Sequence, residues 1–243
     1  MPASVDLSLV ELILCCVAVA AGGIIQGSIG FGLSLISVPV LAVIEPTSLP
    51  ATMLILAIPF TAAMAWRERE NIDVPGFWLI AIGRLPGTAA AVWLLSVVTE
   101  AQLSVVIGAA VIVAVAFSVF APAVPLGTTT RLVAGTISGL MGTAAAIGGP
   151  ALAIAYQRRP GPELRSTLAM SFVLGSAVSL GALWLGGHVE PFHFTLALTL
   201  LPSLAVGLWL ATKIHQLIDK AWLRPTVLTF AAISGAVAIL RSL

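Results

Sequence analysis

Apolar sequence in this chain runs in blocks long enough to cross a bilayer, and polar residues are confined to the short gaps between the blocks. The blocks cover about Val5–Ile44, Pro50–Trp66, Gly76–Val98, Gln102–Ala121, Leu132–Tyr156, Leu164–Gly186, Phe192–Thr212 and Leu223–Leu240. A helix needs roughly 20 apolar residues to span the hydrocarbon core. Charged residues make up 9% of the chain, against roughly a quarter in a soluble domain, too few to coat a globule. The surface must therefore face lipid, where helices satisfy their own backbone hydrogen bonds. The expectation is an all-α polytopic membrane protein, a single integral membrane domain over residues 1–243, with about eight to ten membrane segments. The connectors REREN, VPLGTTTR, QRRPGPELR, GGHVEP and KIHQLIDKAWLR hold turn formers or charge.

Several functions are disfavoured on composition. A formal charge of +1 gives no basic patch for nucleic acid. Cys15 and Cys16, adjacent in an apolar run, read as small helix fillers. The N-terminus has acidic Asp6 and Glu11 and no basic region, so no cleaved signal peptide is expected. H-E-x-x-H, G-x-S-x-G and P-loop motifs are missing, as are acidic pairs within a span, so neither an enzyme nor a cofactor or metal site is expected.

The chain repeats itself. Gly23, Ile25, Gly27 and Gly30 align with Gly135, Ile137, Gly139 and Gly142, followed at similar distance by Pro39 and Pro150. Downstream, PGTAAAVW beginning at Pro86 matches PSLAVGLW beginning at Pro202, and EAQL at Glu100 matches KAWL at Lys220. Three blocks in the same order indicate duplication, with repeat 1 over about 5–121 and repeat 2 over about 128–243.

Loop charge sets the orientation. If the first and fifth blocks each crossed once, basic loops would fall on both faces. If each instead returns to the face it entered from, the loops with Arg67, Arg69, Arg131, Arg158, Arg159, Arg165, Lys213, Lys220 and Arg224 share one face. The other face then has only Arg241, at the C-terminus. Cytoplasmic loops are enriched in Lys and Arg, which favours the second partition. Each repeat is then a glycine-broken hairpin, re-entrant or of short helices, plus three transmembrane helices, and the odd count makes the two repeats inverted.

Inverted repeats with broken helices form the midplane sites of secondary transporters. The glycine motifs are accordingly the first site candidates, because the free N–H groups of a half-helix hold an anion. Gln26, Ser28 and Ser34 accompany the first motif, and Ser138 and Thr143 the second. Close packing of small residues is the plainer alternative. Arg84 lies well inside an apolar block, where a cation is costly unless it is paired or faces water. It either forks onto an oxyanion or snorkels to a surface; the equivalent position in repeat 2 is Leu200. The same block as Ser176 carries Thr167, Ser171 and Ser179 on or near one helical face, as a polar stripe or as hydroxyls bonded to their own helix. His188 and His193 beside Glu190 are read as solvated interfacial residues, with proton coupling as the alternative.

GGIIQGSIGFGLSLISVPVL (residues 22–41) and GTISGLMGTAAAIGGPALAI (residues 135–154), each followed by a turn and another apolar helix, resemble the TauE/SafE sulfite exporter family. That resemblance spans essentially the whole chain. It implies transport of sulfite or an organosulfonate across a prokaryotic cytoplasmic (inner) membrane. It carries over Gln26, Gly27, Gly30 and Gly32 as motif residues in repeat 1, and Gly139, Gly142, Gly148 and Gly149 in repeat 2. With Ser28, Phe31, Ser138, Thr143 and Arg84 these make up the expected anion site, and Pro39, Pro59, Pro86, Pro150 and Pro202 the expected hinges for alternating access. The partners expected are a small anionic substrate and the lipid bilayer, without nucleic acid; a coupled proton or cation and a homodimer remain open. A channel-like anion pore and a non-transporting membrane assembly subunit are the alternative readings.

Overall fold

The computed structural model describes residues 7–120 and 124–214, with Thr229, Ala232, Ile233 and Val237. The last apolar block, apart from those four residues, lies outside the described residues, as do Lys220, Arg224 and Arg241. Among the described residues the chain is helical: α1 (Leu9–Ile29), α2 (Leu33–Ile44), α3 (Ala51–Arg67), α4 (Val74–Val97), α5 (Glu100–Phe120), α6 (Thr128–Ala145), α7 (Gly149–Tyr156), α8 (Gly161–Leu185) and α9 (Pro191–Ile214). Local sequence explains where several of these begin. Ser8 and Glu11 form a reciprocal capping box at α1, and Asp73 accepts the Gly76 N–H ahead of α4.

Helices α1, α4, α8 and α9 are long and apolar enough to cross a bilayer. Their exposed faces carry Ile13, Val17, Ile82, Leu85, Leu198 and Val206, which in water would be a liability and in lipid are the expected surface. Exposed tryptophans sit near helix ends, with Trp66, Trp78 and Trp209 toward one face and Trp93 and Trp184 toward the other. That is the placement favoured at membrane interfaces.

The first apolar block is broken at Gly30–Phe31–Gly32, where Gly30 (φ 96°) and Gly32 (φ 128°) take backbone conformations that suit glycine. Helix α2 folds back along α1, with Ser37 donating to the Ala18 carbonyl. In the second half the break comes later than the glycine alignment places it. Gly142 lies inside α6, and Ala146 adopts the left-handed conformation (φ 58°) before Gly148 opens α7. The α6–α7 hairpin returns to its starting face: Tyr156 at the end of α7 meets Arg131, in the first turn of α6, with its OH accepting from Nε at 3.3 Å.

Helices pair across the halves. Helix α4 runs parallel to α6, with Gly83 against the Leu132 carbonyl and Gly87 against that of Thr136. Helix α1 runs parallel to α9, with Gly207 on the Ala20 carbonyl and Gly27 on the Ala211 methyl. Helices α3 and α8 are antiparallel: Glu68 meets Arg165 at one end, while Leu54 and Leu183 share a buried cluster at the other. The fourth helix of each half thus packs against the first helix of the other half.

The α4–α6 seam leaves no room for a methyl group, so Gly87→Ala should lower stability by about 1–3 kcal/mol, the usual penalty for overpacking. Gly181, in α8, has nothing near its Cβ position, so Gly181→Ala should be neutral or stabilising by up to about 1 kcal/mol. Thermal unfolding of the two variants in detergent measures the contrast.

Candidate functional site

Arg84 lies near the middle of α4 and is only 4% exposed. Its side chain does not snorkel. It turns inward between α6 and α8, where Nη1 donates to Ser138 Oγ at 2.9 Å and Nη2 to Ser179 Oγ at 3.3 Å, while Nε has no partner. Behind those contacts, Thr143 Oγ1 lies 2.7 Å from Ser179 Oγ and donates to Thr88 Oγ1 at 3.2 Å. The cation therefore rests on neutral hydroxyls. Ion pairs among the described residues join Arg67 and Arg165 to Glu68, Arg131 to Asp73, and Arg159 to Glu163, all at or beyond helix ends.

Glycines supply the space for the guanidinium. A methyl at Gly142 would sit 2.7 Å from Nη2, and one at Gly175 would overlap Cζ and Nε. Gly139 packs on the Arg84 backbone and Cγ. Gly175, on α8, was not among the residues expected from sequence, because a lone glycine in an apolar helix reads as packing until its neighbour across the bundle is known.

The guanidinium borders a cavity of about 40 Å³, room for a few water molecules or one compact ion. Its walls include both chain breaks: Gln26, Phe31, Gly32 and Ser34 from the first hairpin, and Gly142, Gly148, Gly149 and Pro150 from the second. Thr61 of α3 and Ser176 of α8 complete the polar lining. The first turns of α2 and α7 both open onto this space, so two positive helix ends join Arg84 there. Gln26 bridges the first break, its Oε1 accepting the Leu33 N–H at 3.0 Å.

Other expected residues lie elsewhere. Ser28 donates to the Ile24 carbonyl of its own helix. Gly27 faces α9, and Gly30 packs on Arg165 and Leu164. The close-packing alternative accounts for Gly27, and Gly139 serves both packing and the arginine slot. Ser138 and Thr143 reach the site through Arg84 and its hydroxyl network. Of the prolines, Pro39, Pro59, Pro86 and Pro202 lie inside α2, α3, α4 and α9, each removing a backbone donor. Pro150 instead occupies the first turn of α7. Ser171 bonds back to the Thr167 carbonyl. His193, expected at a solvated interface, is 4% exposed; its Nδ1 accepts the Glu190 N–H, and Nε2 contacts the Thr47 carbonyl at 3.1 Å.

A second polar cluster closes the basic face. Asp73 Oδ2 accepts from Arg131 Nη2 at 2.6 Å and from the Tyr156 OH at 2.9 Å, and its N–H donates to Thr167 Oγ1. Burial alone would push the Asp73 carboxyl up, but donors from Gly76, Tyr156 and Arg131 outweigh it and hold the group below the usual carboxylate range. The cluster fastens α4, α6, α7 and α8 together at one end.

Among the described residues no group of three or more His, Cys, Asp or Glu side chains is placed to hold a metal. No curated protein and no solved structure matches the chain. The family described as sulfite exporter TauE/SafE matches residues 14–238, nearly the full length, and the chain belongs to that family of membrane transporters.

Proposed function

We propose that this chain is a secondary transporter that moves a small sulfur-containing oxyanion, sulfite or an organosulfonate, across a prokaryotic cytoplasmic membrane by alternating access. One observation carries the reading: an arginine without a carboxylate partner among the described residues and the N-terminal turns of two half-helices converge on one buried cavity. Positive charge concentrated at membrane depth is stable only against water or an anion, and a planar guanidinium suits an oxyanion. The present volume admits a compact anion; an organic tail requires the cavity to widen.

The packing favours moving bodies other than the two sequence halves. Backbone-close seams tie α4 to α6 and α1 to α9. The bodies are then α4 with α6, α7 and α8, and α9 with α1, α2 and α3. They meet along α3 and α8, and the cavity lies between them. The opposed directions of α3 and α8, matching elements of the two halves, support inverted repeats.

On the basic face the bodies are joined by Arg165, which forks onto Glu68 with Nη2–Oε1 at 2.9 Å and Nε at 3.1 Å from both carboxylate oxygens. This pair lies about two helical turns, ~10 Å, beyond the cavity along α3 and α8. It acts as the latch on that side. On the opposite side the closure is apolar, formed by Leu54, Leu95 and Leu183.

In proteoliposomes the wild type should take up labelled sulfite saturably, whereas a channel would saturate weakly and an assembly subunit would give no flux. Arg84→Ala should weaken apparent affinity about 10- to 100-fold, the worth of a hydrogen bond to a charged group. Arg84→Lys, which keeps the charge but not the fork, should fall between. Wild-type affinity in Arg84→Ala would refute the site. Breaking the latch with Glu68→Gln should raise the labelling rate of Ser176→Cys by an impermeant maleimide, applied from the basic face in a Cys15/Cys16-free background. The expected gain is up to about fivefold, in line with a partly exposed ion pair; an unchanged rate would count against the latch.

A further inference from the structure

The electrostatics of the cavity bear on how the carrier completes its cycle, and the following rests on the anion-site reading above. We propose that the protein is an obligatory anion exchanger: the loaded carrier changes sides readily, the empty carrier does not, and each anion carried one way returns the carrier only with another anion.

The reason lies in what faces the guanidinium. From α4 itself the polar neighbour is the Thr88 hydroxyl, through Thr143; from α6 come Ser138 and Thr143, and from α8 Ser179 and, in the cavity wall, Ser176. From the opposing body the cavity presents Gln26, Ser34 and Thr61. All of these are neutral. The carboxylates whose side chains are described, Glu11, Glu45, Glu68, Glu70, Asp73, Glu163 and Glu190, lie at helix termini or in connectors. Arg84 Nε is buried without a partner, and the first turns of α2 and α7 add positive dipole ends to the same space.

While the cavity is open to water, solvent can stabilise this charge. To change sides the bodies must pass through a form closed at both ends, where the water is thinned and an unpaired cation is costly. A bound anion neutralises Arg84, so closure around it is easy. An empty site must close around a bare positive charge. A carrier coupled to a proton would avoid this with a titratable carboxylate beside the substrate, and none of the described ones is near.

The experiment uses the full chain in proteoliposomes, kept anaerobic, with equal potassium and valinomycin on both sides to clamp the voltage. Vesicles are loaded either with unlabelled sulfite or with gluconate, and initial uptake of labelled sulfite is measured. Exchange predicts uptake at least about tenfold faster into sulfite-loaded vesicles, equivalent to ~1.4 kcal/mol of barrier, with no dependence on an imposed pH or sodium gradient. Equal rates in the two preparations, or rates set by either gradient, would overturn exchange. Sulfite-dependent thermal stabilisation of the purified protein separates the two levels of the argument. Stabilisation with equal uptake removes exchange and leaves the anion site standing; absence of both stabilisation and uptake removes the site as well.

Discussion

The placement of one charge organises much of this molecule. Arg84 sits at mid-depth in α4, and accommodating it constrains two other helices at once. Gly139 and Gly142 on α6 and Gly175 on α8 must lack side chains to admit it, and Ser138 and Ser179 must offer oxygens to two of its donors. An apolar residue there would pack with fewer conditions, as buried Leu200 does at the equivalent place in α9. A buried cation held by neutral hydroxyls is costly, and that cost is what the proposed anion site rests on.

Close backbone seams flank that charge and hold the bundle firm. Lipid offers no hydrophobic drive for helices to associate, so close backbone approach has to supply much of the attraction. Glycines 83, 87 and 135 do this between α4 and α6, and 23, 27 and 207 between α1 and α9. Such seams resist sliding because a shift brings side chains onto facing carbonyls. The α3–α8 contact has a different character, with hydroxyl and small residues along the cavity, an ion pair at one end and leucines at the other.

Two candidate residues, Arg84 and Gln26, were legible in sequence because their types are rare in apolar helices, and both border the cavity. Gly148 and Gly149, which also border it, were expected only through the family resemblance. The glycine alignment misled in one respect. It equated Gly30 with Gly142, yet the second break falls at Ala146, because any residue with enough tertiary support can be held in the left-handed conformation. Gly175 and Thr88 were invisible, since their work depends on which helix lies opposite. His193 was misjudged for a similar reason: a histidine in a short connector reads as solvated until the neighbouring turn at Thr47 is seen to cover it.

Sequence alone determined that the chain is a helical membrane protein, since a nearly charge-free surface is tolerable only in lipid, where helices satisfy their own backbone. It also pointed to the family, through two glycine motifs, and the family matches residues 14–238. Tertiary structure decided which glycines make room for a cation and which merely let helices touch, and that the fourth helix of each half belongs with the other half. Those choices depend on which faces meet across the bundle. Periodicity and composition describe each helix by itself, and the physics of a buried charge depends on everything packed around it.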